Sequence, residues 1–168
     1  MIGNDVVDIV QSRRESNWQR PGFLEKIFNI EEQQLIHDHI NKELMVWVLW
    51  SMKESAYKIY NRNTGIRGFI PQQLSCSVSH ESNNHFCGSV VCNGNLYYTH
   101  TIIKDDIIHT IAAANRSDLA NIREIENAQI VKDSLGLPYL YNAVNLVLEA
   151  VSVSHHGRSH KIIKMFKM

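Results

Sequence analysis

A chain of 168 residues with 44% apolar side chains has the material for one compact core without disulfides or metal clips. Its 17 basic and 17 acidic residues cancel, which excludes bulk charge as a means of attracting nucleic acid or an anionic membrane, so any anion must be held by a local site. Cys76, Cys87 and Cys92 are odd in number and form no CxxC pair, which argues against a disulfide framework and for reduced thiols.

The first residues, MIGNDVVDIVQSRRES, break their apolar runs at Asp5 and Asp8, unlike a signal peptide or a membrane span, so a cytoplasmic protein with no membrane partner is expected. Residues 2–10 are rich in β-branched types and predict a strand. Asn29 with Glu32 three residues on reads as a capped helix start, with the helix running to about Ile40. Leu44, Val48, Met52, Ala56 and Ile59 recur at steps of three and four, predicting a long helix over 44–60 with Gly65 beyond its end. Alternation over 74–79 predicts a strand buried on one face, and strands over 86–92 and 96–103 flank the hairpin signal Asn93-Gly94. Lys104-Asp105-Asp106 is a second turn, leading into a strand over 107–114, so the middle third reads as an antiparallel meander. Beyond Arg116 the pattern weakens to short pieces: strands near 128–132, 151–154 and 160–166, and a turn at Ser134–Gly136. With no repeat or linker in view, one domain over 1–168 is expected, of α+β class, its antiparallel sheet packed against the long helix.

Three polar features interrupt this pattern. On the long helix Trp50, Glu54 and Lys58 are four residues apart and share a face, while Lys53 points about a quarter turn away from Glu54. From spacing alone, the commoner meaning of Glu54 and Lys58 is a surface ion pair of a few tenths of a kcal/mol. Asp5 and Asp8 are three apart on a strand, so they point to opposite faces and have different jobs. Asp5 follows Gly3, a position where another backbone or a ligand could approach, and is equally a solvated strand-end acid. Ser152-Val153-Ser154-His155-His156-Gly157-Arg158 offers hydroxyls, imidazoles and a guanidinium, all suited to phosphate, although a polar turn has the same composition. A zinc site from Cys76, His80, His85, Cys87 and Cys92 matches no standard ligand spacing.

Taken together, GNDVVDI, LWSMKESAYK and VSVSHHGR resemble the 4'-phosphopantetheinyl transferase superfamily. Trp50, Lys53, Glu54, Ser55 and Lys58 match its WxxKES/A…K motif, Gly3 and Asp5 its GxD motif, residues 152–158 its SH segment, and Gly136-Leu137-Pro138-Tyr139 the GKPY turn before it. FLEKIFNIEE at 23–32 is similar to the segment after the Asp strand in holo-acyl-carrier-protein synthases, and the motif order is that of this small class, although LWSMKES looks like the larger, surfactin-synthetase-activating class. The resemblance implies the 4'-phosphopantetheinyl transferase-like fold and transfer of the phosphopantetheine arm of coenzyme A to a serine of an apo acyl or peptidyl carrier protein, for example in fatty acid biosynthesis. It implies Mg²⁺ on Asp5 and Glu54, Glu54 or a water it orients as base, and Lys58 beside the breaking bond. Lys53, Ser154, His155 and Arg158 are implied to bind coenzyme A. The larger class has a second acid where this chain has Val7, and the length exceeds that of a small synthase mainly in the hairpin region. A homo-oligomer, with a trimer favoured, is implied, in which the SH segment could serve a neighbouring subunit. The alternative is a non-catalytic module that binds coenzyme A or a carrier protein, or a pyrophosphatase acting on coenzyme A with water.

Overall fold

The structure, a computed structural model, describes residues 1–126, 128–142 and 147–166. β1 (Ile2–Asp8) comes first. Three short helices follow: α1 (Ile9–Glu15), α2 (Phe23–Ile27) and α3 (Ile30–Asp38). Then comes the long helix α4 (Lys42–Thr64). β2 (Leu74–Ser82), β3 (His85–Cys92), β4 (Asn95–Lys104) and β5 (Ile107–Ala113) form the meander, and β1 adds antiparallel to β5, giving a sheet of order β1-β5-β4-β3-β2. The class is α+β, and the predicted packing of an antiparallel sheet on the long helix is what the chain adopts.

The first strand ends two residues earlier than its β-branched run suggests. Asp8 accepts hydrogen bonds from the backbone N–H groups of Val10 and Gln11, so it caps α1 and turns Ile9 and Val10 into helix. The Asn29–Glu32 capping box forms as read from the sequence. α4 starts and ends beyond 44–60: the Asn41 side chain accepts from the Leu44 N–H, and the N–H of Gly65 closes the last turn on Asn61.

α4 crosses the inner face of the meander, where Val46, Leu49, Met52 and Ile59 join Phe86, Val90 and Ile108 in the main core. Each such side chain contributes about 1.5–3 kcal/mol by leaving water. The burial extends around the helix because α3 and β2 cover a further side of it, and Lys53 lies there with 1% exposure.

A second sheet has no counterpart in the sequence reading beyond scattered short strands. It consists of β6 (Ile122–Ile125), β7 (Ile130–Lys132), β8 (Pro138–Asn142), β9 (Val147–His156) and β10 (Ser159–Met165), in the order β6-β10-β9-β8-β7. Ile2, Ala113, Ile122 and Ile163 pack as a small apolar cluster of their own. No helix among the described residues is long and apolar enough to cross a membrane.

Candidate active site

Glu54 reaches β1 because the residues between helix and strand are small. A Cβ on Gly3 would fall on the carbonyl oxygen of Ser55, so only glycine lets α4 come this close. Ser51 donates to the carbonyl of Asp5 at 3.4 Å, and Ser55 donates to the Ser51 carbonyl within its own helix and to Thr110 of β5. Gly3→Ala is therefore expected to cost about 3 kcal/mol or more, at or above the upper end for core overpacking, because rigid backbone must give way. Urea denaturation checks this, and a stability within 0.5 kcal/mol of wild type would contradict the close packing.

Asp5, Glu54 and Lys58 converge where α4 meets β1. Asp5 is 9% exposed. Its Oδ1 accepts the Ser154 hydroxyl at 3.0 Å and lies 3.8 Å from Lys58 Nζ, while Oδ2 is buried with no partner. Burial pushes the Asp5 carboxyl up, against the lowering effects of Lys58 and of the Ser154 hydroxyl. Glu54 is pushed up to about 7, first by burial and then by the charge of Asp5, with Lys58 opposing both. Lys58 donates to the carbonyls of Asn4 at 2.5 Å and Val153 at 3.1 Å, and burial depresses its pKa while the two acids raise it.

Two carboxylates thus lie in the field of one ammonium in a partly dry setting, and the buried Oδ2 of Asp5 has no donor. This donor set fits a hard cation that takes oxygen ligands, such as Mg²⁺. Asp5 and Glu54 line a cavity of about 390 Å³ whose other walls include Phe23, Trp47, Trp50 and His155. Trp50 lines the same cavity as the carboxylates, half-buried, with Phe69 at 6.4 Å between ring centroids. His155 is exposed at the rim.

The SHHGR segment lies on its own chain's β1. The backbone N–H groups of Asn4, Val6 and Asp8 face away from β5 and donate to Ser152 Oγ at 2.9 Å, Ser154 Oγ at 3.1 Å and His156 Nδ1 at 2.9 Å. Each partner is 148 residues away, so β9 runs parallel to β1 and joins it through alternate side chains in place of a backbone ladder. His156 accepts at Nδ1, so its Nε2 carries the proton and donates to Glu15 at 3.0 Å.

Three of the residues expected at coenzyme A have partners within the protein. Lys53, on the covered side of α4, pairs with Glu32 at 2.8 Å and donates to the carbonyls of Pro71 and Leu74, so its ammonium is spent inside the protein. Arg158 grips Asp8 through Nε at 2.8 Å and Nη2 at 3.0 Å, and its backbone N–H donates to the same carboxylate at 2.9 Å. This holds the Asp8 carboxyl far below the usual carboxylate range. Gly157 makes the grip possible, since a Cβ there would lie 2.5–2.8 Å from Asp8 side-chain atoms. Ser154 is engaged by Asp5 and Val6. Asp8, on the opposite side of the strand from Asp5, is thus a cap and a clamp.

Glu15, Phe23 and Trp47 were not singled out by the sequence reading, yet they line the cavity. The available signal for Glu15 is its place about two turns past Asp8. Tyr57 and Tyr60 act structurally, accepting hydrogen bonds from the Gly68 N–H and the Asn93 amide. Among the described residues no three His, Cys, Asp or Glu side chains gather as a metal site, and the three cysteines are free thiols.

The family model of the 4'-phosphopantetheinyl transferase superfamily matches residues 1–112, the stretch that holds Asp5, Glu54 and Lys58. The chain belongs to that superfamily. No curated protein matches it. Among solved structures it is similar to the holo-[acyl-carrier-protein] synthase of Thermotoga maritima, with 13% identity, a TM-score of 0.47, and coverage of 82% of this chain and 83% of that one.

Proposed function

We propose that this chain is a Mg²⁺-dependent phosphopantetheinyl transferase of the holo-acyl-carrier-protein synthase type, acting on the serine of an apo acyl or peptidyl carrier protein. The observation that carries this reading is the unpartnered, buried Oδ2 of Asp5 beside Glu54 and Lys58 at the head of a cavity. Asp5 and Glu54 would hold the ion, which when bound neutralises the pyrophosphate of coenzyme A. With Val7 in place of a second acid, water and substrate phosphates would supply the remaining oxygen ligands.

The carrier serine attacks the phosphorus that bears pantetheine, the bond to the adenosine-side phosphate breaks, and adenosine 3',5'-bisphosphate leaves. Glu54 takes the serine proton directly or through a water. Lys58, fixed by two carbonyls, sets a positive charge beside the pyrophosphate as negative charge builds on the leaving oxygen. His155 at the rim offers a donor to the nucleotide's phosphates, and Trp50 walls off water. Lys53 is given no contact with coenzyme A, because Glu32 engages it inside the protein, whereas Arg158, clamped on Asp8 with its side chain still largely exposed, stays available to the nucleotide. The whole chain serves as one domain, in the cytoplasm, and works as a homo-oligomer, with a trimer favoured. The bond from Ser154 to its own chain's Asp5 supports an SH segment that serves the site from within the chain.

Mass spectrometry of an apo acyl carrier protein incubated with the protein, coenzyme A and Mg²⁺ tests this. A gain of one phosphopantetheine, lost with excess chelator, is expected. Binding of coenzyme A without any gain would leave only a binding module, and cleavage of coenzyme A with no carrier present would make the chain a pyrophosphatase.

A further inference from the structure

Ser154 and Ser152 occupy equivalent places on β9, each 7% exposed or less and each accepting one N–H of β1. They differ in where the hydroxyl proton goes. Ser154 Oγ accepts from the Val6 N–H, which can only donate, and therefore donates its own proton to Asp5 Oδ1 at 3.0 Å. Lys58 stands 3.8 Å from the same oxygen and is itself fixed to the carbonyls of Asn4 and Val153, on the two strands that Ser154 joins. One oxygen of Asp5 thus has all the carboxylate's partners, and Oδ2 has none.

From this asymmetry we infer that Ser154 is a positioning residue: it fixes the rotation of the Asp5 carboxylate so that Oδ2 is the oxygen left for the cation. The inference rests on the reading of Asp5 as a metal ligand. A partner that orients a ligating carboxylate is worth about 10- to 100-fold in metal affinity. Ser152, which touches no carboxylate, contributes to strand attachment alone.

Mn²⁺ binding followed by electron paramagnetic resonance, without coenzyme A, separates the two roles. Valine and threonine have the same shape, so Ser154→Thr and Ser154→Val differ in the hydroxyl alone. Ser154→Thr is expected to bind Mn²⁺ within about threefold of wild type, and Ser154→Val about tenfold or more weakly. Ser152→Ala is expected to keep wild-type affinity even where its thermal midpoint falls. Equal affinities for Ser154→Thr and Ser154→Val, or an equal loss in Ser152→Ala, would overturn the positioning role. If wild type bound no Mn²⁺, or bound it as well with Glu54→Gln, the metal reading would fail, and this inference with it.

Discussion

Glu54→Gln is expected to lower the rate of phosphopantetheine transfer by about 10³-fold while leaving the fold intact. Glutamine keeps the shape of the side chain but removes both the negative charge that would hold the cation and the basic oxygen that would take the serine proton. General-base removal alone typically costs about 10²–10⁴-fold. The protein should tolerate the change because burial and the charge of Asp5 outweigh the attraction of Lys58: the Glu54 carboxyl is raised to about 7, so its ionised form is disfavoured in the metal-free protein. Removing it relieves that conflict, and the thermal midpoint should stay level or rise. Transfer rates and thermal midpoints measured side by side check this, and a variant that transfers at the wild-type rate would remove Glu54 from the mechanism.

The opposite pattern is expected for Lys53→Met. Glu32 and Lys53 are 0% and 1% exposed, and their ion pair at 2.8 Å is completed by hydrogen bonds from the N–H groups of Asn29 and Cys76 to Glu32. Removing the ammonium leaves a carboxylate buried against Phe28 and the β2 edge with no countercharge, a change that typically costs about 3–5 kcal/mol. At this chain length that is a drop of roughly 10 °C in thermal midpoint. Glu32→Gln combined with Lys53→Met should recover part of the loss, since no charge is then stranded. The KM for coenzyme A should not move in the folded fraction of Lys53→Met. A raised KM at unchanged stability would return Lys53 to the binding site.

These two neighbours on one helix mark how far the sequence could be read. Glu54 and Lys58 were legible because i,i+4 spacing places them together on any helix, and Asp5 because an acid in a β-branched run needs a reason. The motif spacing also carries Lys53, but a motif does not say which sides of a helix are covered. α3 and β2 close over that side, and Glu32, read as part of a capping box, proves to be its counterion as well. Of the fold, the long helix and the meander were legible from period and turn chemistry. Of the second sheet, short strands at β7, β9 and β10 were legible but their pairing and β6 and β8 were not: β9 is exposed along much of its first half, and β6 is only four residues long, too short to show a period.

The parallel contact of β9 with β1 was out of reach for a different reason. It joins residues 148 positions apart through Ser152, Ser154 and His156, and composition alone reads those as phosphate donors or a polar turn. Asp8 shows the same limit. Its separation from Asp5 implied a different job, and that job depends on Gly157 and Arg158 arriving from the far end of the chain.

The central claim is that Asp5 and Glu54 jointly hold a divalent ion, and crystals grown with Mn²⁺ and coenzyme A test it most directly through the anomalous signal of manganese. The account predicts a peak within ligand distance of both carboxylates and of the pyrophosphate. A peak that contacts neither acid, or bound coenzyme A with no ion at its pyrophosphate, would contradict it.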